Sequence, residues 1–340
     1  VANILAIETS CDDTCAALVT DDGEIRANVI SSQGVHDRYG GVVPEVASRH
    51  HLELATPVVD DALRRAGATL DDVDLVAVTA GPGLVGALLV GVATAKALAA
   101  SRGLPLAAVD HLQGHVAANF LQAGGETDPA RPPISPPFLC LIASGGHTFL
   151  ARVDDHQGFT VLGQTLDDAA GEAIDKGARL LGLPFPGGPH LERLAAEGDP
   201  AAFDFPRSHG VPGLDFSFAG LKTALLYKVR DLGETGTQER RADLAAAYQE
   251  AIVDQLARRV ERALEETGLE RLAIGGGVAA NGPLRERLGA LADEVKIPPR
   301  ELCTDNAAMI ASAARWTTPI AFPDYLGLDV HATGERSLQG

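Results

Sequence analysis

Residues 138–163, FLCLIASGGHTFLARVDDHQGFTVLG, decide the fold. Phe138–Ala143 is a short apolar run of strand length, Ser144-Gly145-Gly146 a tight polar turn, and His147–Val153 and Thr160–Gly163 two further strands. A helix over Leu166–Leu181 follows. The same order opens the chain. Residues 3–9 (NILAIET) read as a buried strand, Cys15–Thr20 as a second, and Asp21-Asp22-Gly23 as a hairpin turn into a third over Glu24–Ser32. Residues 44–66 then read as a helix, with Pro57 as its weak point. A repeated strand–turn–strand–strand–helix grammar implies two similar α/β lobes, and a β-hairpin opening differs from the βαβ opening of a dinucleotide-binding fold.

Between the two copies, Asp74–Thr79 is a buried strand, and Gly81-Pro82-Gly83 turns into a helix ending near Ala100. Its small residues Gly83, Gly86, Ala87 and Gly91 permit close packing on a sheet. Pro105–Val109 is another strand. The Pro- and Gly-rich residues 122–137 read as a link, which sets the lobes at 1–121 and 138–302. In the second lobe, residues 204–219 form a long irregular loop, and helices are expected at roughly 219–230, 239–267 and 283–292. Leu272–Ile274 is a strand before the Gly275-Gly276-Gly277 turn, and the last helix, 303–318, completes the first lobe. Residues 319–340 read as an irregular tail.

Lys and Arg number 28 against 46 Asp and Glu, a net charge of −18, which opposes broad non-specific nucleic-acid binding. Any nucleic-acid substrate therefore needs a local basic patch or a partner's. Arg64-Arg65, Arg240-Arg241 and Arg258-Arg259 are candidates, though each also reads as a solvated helix face. Cys11, Cys15, Cys140 and Cys303 form no C-x-x-C pair, and a strand starts by Ile4, so a reduced, cytoplasmic setting is expected. The apolar run Leu84–Ala95 reads as too short to span a membrane, and no membrane partner is expected.

Asp110-His111-Leu112-Gln113-Gly114-His115 places two imidazoles four residues apart, on one face of a helix. The pair suits a metal ion or two satisfied core histidines. Leu112 stands where an H-E-x-x-H metalloprotease needs its general-base Glu, which argues against proteolysis. Glu8–Asp13 (ETSCDD), Ser144–Thr148 (SGGHT) and Gly275–Asn281 (GGGVAAN) are glycine or polar turns after strands. Backbone N–H groups at such turns can approach phosphates, so a bound nucleotide explains three of them over a duplicated fold. No G-x-x-x-x-G-K-[ST] loop occurs.

Nine motifs occur in order: Ile7–Thr14 (IETSCDDT), Gly81–Gly86 (GPGLVG), His111–His115, Ser144–Thr148, Asp167–Lys176 (DDAAGEAIDK), Pro186–Pro189 (PGGP), Asp215–Lys222 (DFSFAGLK), Gly275–Asn281 and Cys303–Ala307 (CTDNA). Together, from Ile4 to Trp316, they resemble the TsaD family of bacterial threonylcarbamoyltransferases. The resemblance implies an α/β fold of two duplicated actin-like (ASKHA, ribonuclease H-like) lobes around a nucleotide cleft. It implies transfer of a threonylcarbamoyl group from threonylcarbamoyl-adenylate to the exocyclic amine of the tRNA adenosine 3′ of the anticodon. It also implies one divalent metal per chain on His111, His115 and Asp305, Fe(II) in preference to Zn(II). Asp305 by itself, without the resemblance, reads as a helix N-cap.

By the same resemblance, the adenylate lies on Ile142, Ala143, Ser144, Gly145 and Gly146, with Asp175, Gly188, Glu192 and Asn281 around the ribose and base. Asp12 assists proton removal or orients the ligand. The implied partners are tRNA, a TsaB-like sister subunit and a TsaE-like ATPase. The chain departs from the family in three places. Glu192 stands where many bacterial members carry Asp, Asp13 where Glu is usual, and Ile142 where archaeal relatives offer a tyrosine to the metal. A small-molecule kinase of the same fold and a non-catalytic sister subunit are rival readings; the histidine pair with Asp305 speaks against both.

Overall fold

In the computed structural model, the structure describes residues 1–34, 36, 41–122, 133–207 and 210–332. Parts of the 122–137 link, of the 204–219 loop and of the 319–340 tail lie outside the described residues. The chain divides into two units. Unit 1 comprises Val1–Pro136, Asp154–Phe159 and Glu301–Gly340; unit 2 comprises Pro137–Val153 and Thr160–Arg300.

In chain order, unit 1 contains β1 (Asn3–Glu8), β2 (Asp13–Thr20), β3 (Ile25–Ser32), α1 (Pro44–Arg65), β4 (Leu75–Gly81), α2 (Val85–Arg102), β5 (Leu106–Asp110) and α3 (His111–Ala117). Unit 2 follows with β6 (Phe138–Ala143), β7 (Thr148–Val153), β8 (Thr160–Gln164), α4 (Ala170–Leu180), α5 (Gly187–Ala195), α6 (Ala219–Glu239), α7 (Arg241–Thr267), β9 (Arg271–Gly275), α8 (Gly282–Leu288) and β10 (Glu294–Lys296). Short α9 (Arg300–Cys303) leads to α10 (Ala307–Ala314).

The two sheets repeat one topology. Their strand orders are β3-β2-β1-β4-β5 and β10-β9-β6-β7-β8. In each, the first three strands of the unit pair antiparallel, and the unit's first strand pairs parallel with its fourth, β1 with β4 and β6 with β9. Strands β1 and β6 are near-continuous apolar runs because both faces of a central strand are covered. The protein is thus an α/β fold of two duplicated actin-like lobes, each on a five-stranded mixed sheet.

Several boundaries differ from the sequence reading. Helix α1 runs unbroken through Pro57. Strand β10, only three residues long, and α5, which begins on two glycines, carry too little periodic signal to be read ahead of time. Helix α6 extends beyond residue 230 because a kink at Gly233, φ 64°, lets a second helical stretch continue it. The expected last helix shrinks to Ala307–Ala314, with Asn306 capping its start.

Helix α2 carries the apolar run Leu84–Ala95 on to Arg102 and is, by length and composition alone, apolar enough to cross a membrane. It buries Ala87, Leu88, Gly91, Val92, Ala95 and Ala99, the stripe of a core helix. A Cβ on Gly83 would approach Ser10 Cβ to 2.9 Å, and Thr9 donates to the Ala87 carbonyl at 2.9 Å, so α2 packs hard on the end of β1.

Residues 320–328 are packed onto unit 1's core rather than forming a loose tail. Ile320 and Leu106 exchange backbone hydrogen bonds of 2.8 and 3.0 Å. Lys96 Nζ donates to the Leu326 and Leu328 carbonyls. Tyr325 is fully buried among Leu5, Ile7, Val76 and Leu106. Its hydroxyl has no hydrogen-bond partner among the described residues. Tyr325→Ala is expected to lower stability by about 3–5 kcal/mol, whereas Tyr325→Phe should leave the urea midpoint unchanged or raise it. A Tyr325→Ala midpoint equal to wild type would remove Tyr325 from the core.

Candidate metal centre

Helix α3 is short, so its start must be fixed by other means. Asp110 does so, accepting from the backbone N–H groups of Leu112 at 2.8 Å and Gln113 at 3.1 Å. The helix then sets His111 and His115 side by side, with ring centroids 4.7 Å apart and planes at 78°. Helix α10 packs across them. Gly114 makes room, since a Cβ there would meet Ile310 Cδ1 at 2.8 Å, and Ser312 Oγ donates to the Ala117 carbonyl at 2.7 Å. This brings in Asp305, whose Oδ1 lies 3.3 Å from His115 Nε2 and 3.6 Å from His111 Nε2. The N-cap of α10 is Asn306, which accepts from Met309 N at 3.0 Å, so the cap role falls to the neighbour of Asp305.

The arrangement fits a cation. One donor atom from each of His111, His115 and Asp305 lies within 4.8 Å of the other two. His115 is 1 % exposed, and neither of its ring nitrogens makes a hydrogen bond among the described residues. A buried imidazole whose nitrogens make no hydrogen bond is costly unless something else takes a lone pair. Two imidazoles and a carboxylate are a donor set suited to Fe(II) or Zn(II).

Behind His111 sits a residue that the sequence reading missed. Glu8, the last residue of β1, is fully buried, and its Oε2 lies 3.1 Å from His111 Nδ1. Thr79 Oγ1 donates to the same carboxylate, as does the Ser10 N–H. Ser10 Oγ is also 3.2 Å from His111 Nδ1. Burial, the largest effect, pushes Glu8 up, but the His111 charge and the hydrogen bonds from His111 and Ser10 together hold the carboxyl below its usual range. Burial likewise pulls His111 down, yet the Asp305 and Glu8 carboxylates raise it to about 9. In its neutral form, His111 donating its Nδ1–H to Glu8 would leave the Nε2 lone pair facing His115 and Asp305. The available signal was an acid closing an apolar strand, NILAIE.

The β1–β2 turn adjoins this cluster. Asp12 lies there half-buried, and its carbonyl accepts from Gln33 N at 3.3 Å. Burial pushes Asp13 up to about 7, against a hydrogen bond from Ser32 and with the Asp305 charge adding to the rise. Burial, with the Asp12 and Asp305 charges, pushes the Cys11 thiol up and favours its protonated form.

The residues expected around a nucleotide all belong to unit 2. Ile142 and Ala143 are the buried end of β6. Ser144 closes the following turn on itself, its N–H donating to the His147 carbonyl at 2.8 Å and its Oγ accepting from His147 N at 3.0 Å. Gly145 and Gly146 are exposed, and a Cβ on either would meet nothing within 4 Å. Protein packing does not require glycine there, which leaves an open backbone surface. The start of α4 abuts this turn, with Gly171 N donating to the Ser144 carbonyl at 3.0 Å. Gly276, φ 84°, brings the end of β9 against Ala143.

Asp175 Oδ1 accepts from Gly187 N at 2.7 Å and so anchors the start of α5. Of the two glycines there, Gly187 is the one packing demands, since a Cβ would sit 2.5 Å from Ala178 Cβ; Gly188 is open. Glu192 and Asn281 meet directly. Asn281 Nδ2 donates to Glu192 Oε2 at 3.3 Å and to Gln249 Oε1 at 3.0 Å, while Gly282 N donates to Glu192 Oε1 at 3.1 Å. A cavity of about 330 Å³ lined by Glu192, Ala195, Ala246, Gln249, Val253 and Pro283 opens beside them. The chain therefore brings His111, His115, Asp305 and Glu8 together in unit 1, with Asp12 in the adjoining turn, and gathers the other residues at one end of the unit 2 sheet.

Glu8→Gln keeps the volume but removes the charge behind His111. It is expected to weaken Fe(II) or Zn(II) binding by about 10–100-fold in a chelator competition, with His115→Ala weaker still. Equal affinities for Glu8→Gln and wild type would mean that Glu8 does not orient the ligand.

Comparison with known proteins places these residues in context. The TsaD family model, described as tRNA N6-adenosine threonylcarbamoyltransferase, matches residues 24–312. A protein of that name from Moorella thermoacetica is 52% identical over 318 residues, covering 92% of this chain and 91% of the relative. One from Anaeromyxobacter dehalogenans is 54% identical over 321 residues, covering 92% and 93%. Among solved structures, component A of (R)-2-hydroxyglutaryl-CoA dehydratase from Acidaminococcus fermentans superposes with a TM-score of 0.54 at 14% identity, covering 93% of this chain and 98% of that one, which is a likeness of fold alone. With the family model spanning most of the sequence and relatives at about half identity along nine-tenths of it, the chain belongs to the TsaD family.

Proposed function

We propose that this protein is a tRNA threonylcarbamoyladenosine synthase. It transfers the threonylcarbamoyl group of threonylcarbamoyl-adenylate to the exocyclic amine of the tRNA adenosine 3′ of the anticodon. The observation that carries the reading is the 52% identity over 92% of the chain to a tRNA N6-adenosine threonylcarbamoyltransferase. The donor set of His111, His115 and Asp305 supports a metal-dependent version of it.

The adenylate is an activated mixed anhydride. Attack of the amine on its carbamoyl carbon forms the new C–N bond, breaks the C–O bond to phosphorus and releases AMP and a proton. The protein's task is to orient the reactants and to stabilise the charge that builds on the leaving phosphate. In unit 2, Ile142–Gly146 supply the open backbone turn for the nucleotide, and Gly188 lets the chain approach it closely. Asp175, Glu192 and Asn281 shape the ribose and base site, with Glu192 already held by Asn281 and Gly282 N. In unit 1, Asp305, His111 and His115 would hold one divalent metal, Fe(II) in preference to Zn(II), which supplies Lewis-acid polarisation of ligand oxygens when bound. Glu8 keeps His111 in the required tautomer, and Asp12 takes the amine proton or orients the amine.

A chain of net charge −18 acting on tRNA needs help with the polyanion. The proposed assembly includes a TsaB-like sister subunit and a TsaE-like ATPase, in the cytoplasm where tRNA is modified.

Reconstitution tests the proposal. The chain is combined with an adenylate-forming enzyme, companion subunits, threonine, bicarbonate, ATP and tRNA, and the modified nucleoside is quantified. Product is expected from wild type, with a loss of at least about 100-fold in Asp305→Ala and recovery of chelated wild type on adding metal back. Asp12→Ala should lower the single-turnover transfer rate by roughly 10²-fold or more while the fold is retained. No product under conditions where a relative works would sink the reading, and an unchanged rate in Asp12→Ala would end that residue's role.

A further inference from the structure

The motif Asp215–Lys222 (DFSFAGLK) finds no part in the site above, yet it starts helix α6. From Phe216 to Arg230 there are three cations and no acid, in a chain whose net charge is −18. Lys222, Leu226 and Arg230 recur every four residues, a single stripe along α6, and Thr223 and Tyr227 stand beside it. The opposite side carries the buried Leu221 and Leu225. Leu226 is 44% and Tyr227 57% exposed, and Arg230 is exposed as well; Lys228 is exposed too but lies off this stripe.

What separates this face from the other basic clusters is the state of its charges. Arg64 and Arg65 both pair with Asp61, Arg240 with Asp243, and Arg258 with Asp254. Arg241 donates to the Leu181 carbonyl and Arg259 to that of Asp215. The tandem arginines are thus already engaged within the protein. Among the described residues, Lys222, Lys228 and Arg230 form no ion pair, and Tyr227 makes no ring contact. The stripe is also held in place. Asp167 Oδ1 accepts from Phe218 N at 2.7 Å and Ala219 N at 3.1 Å, which fixes the first turn of α6 from outside the helix.

We infer that this face of α6 is a docking surface for the phosphate backbone of tRNA. Lys222 and Arg230 contact phosphates, and Tyr227 offers a stacking plane to an unpaired base. The inference rests on the transferase reading for the choice of nucleic acid. Charge complementarity favours a polyanion over a protein, because Lys222 and Arg230, on one stripe and outside any ion pair among the described residues, make a local attractive patch on a chain of net charge −18.

The test uses the full chain and a labelled, unmodified tRNA transcript, with affinity read by fluorescence anisotropy over a salt series. Lys222→Gln/Arg230→Gln is expected to bind about tenfold more weakly at about 0.1 M salt, with the log–log salt slope reduced by about two. Arg64→Gln, which removes an arginine already paired, should match wild type. In the reconstituted reaction the loss should fall on KM for tRNA rather than on kcat. Wild-type affinity and slope in the double variant would overturn the inference, as would unchanged tRNA binding with lost companion-subunit binding. Failure of the wild-type chain to make the nucleoside would count against the transferase reading, while the anisotropy comparison still decides the surface.

Discussion

The contact on which unit 1 depends is the buried pair of Glu8 and His111. A carboxylate with no exposure to water loses several kcal/mol of hydration, of order the whole stability of a domain. The loss is offset by the Ser10 N–H, the Thr79 hydroxyl and the imidazole at 3.1 Å. Each of those partners comes from a different strand end or turn. The carboxylate therefore ties the ends of β1, β4 and β5 together at one spot, and α3 leaves the sheet from there. The orientation of His111 follows from the pair, and the position of His115 follows from His111 through the helical repeat.

Much of this was legible in the sequence, and the misses have physical causes. The duplication was visible because each lobe's central strands are apolar runs closed by polar turns, a pattern that survives divergence of side chains. The histidine spacing was visible because a helix has a fixed period. Glu8 was not, since a carboxylate inside an apolar strand can be interpreted only when its partner, 103 residues away, is known to sit opposite. Tyr325 was missed for a related reason. Its surroundings, Pro323 and Gly327, read as irregular chain, and irregular chain can still be buried when it caps a sheet edge, as the Ile320–Leu106 pairing shows. Gly187 and Gly188 look alike in PGGP, yet only packing against Ala178 and Asp175 tells them apart.

Polar groups with two uses explain the rest. Asn306 takes the capping role that Asp305 might have filled, which allows two adjacent residues to do different jobs at one helix start. Asp175 anchors α5 by its Oδ1. Glu192 and Asn281 hold each other, so any ligand reaching them would meet side chains already restrained and cost less rotamer freedom.

Unit 1 is not contiguous in the chain. It is built from the first 136 residues, a six-residue excursion at Asp154–Phe159 and everything from Glu301. On the ribosome this imposes an order. The two histidines are made 190 residues before Asp305, a gap of roughly 10–40 s at usual elongation rates of about 5–20 residues per second. During that interval the sheet of unit 1 lacks α10 and Tyr325, the pieces that cover it. A nascent chain stalled inside unit 2 would leave the apolar bed of α10 uncovered. The three-donor set is complete only after almost the entire chain has been translated, so its full affinity for a cation arises late, as a property of the finished protein rather than of its N-terminal half.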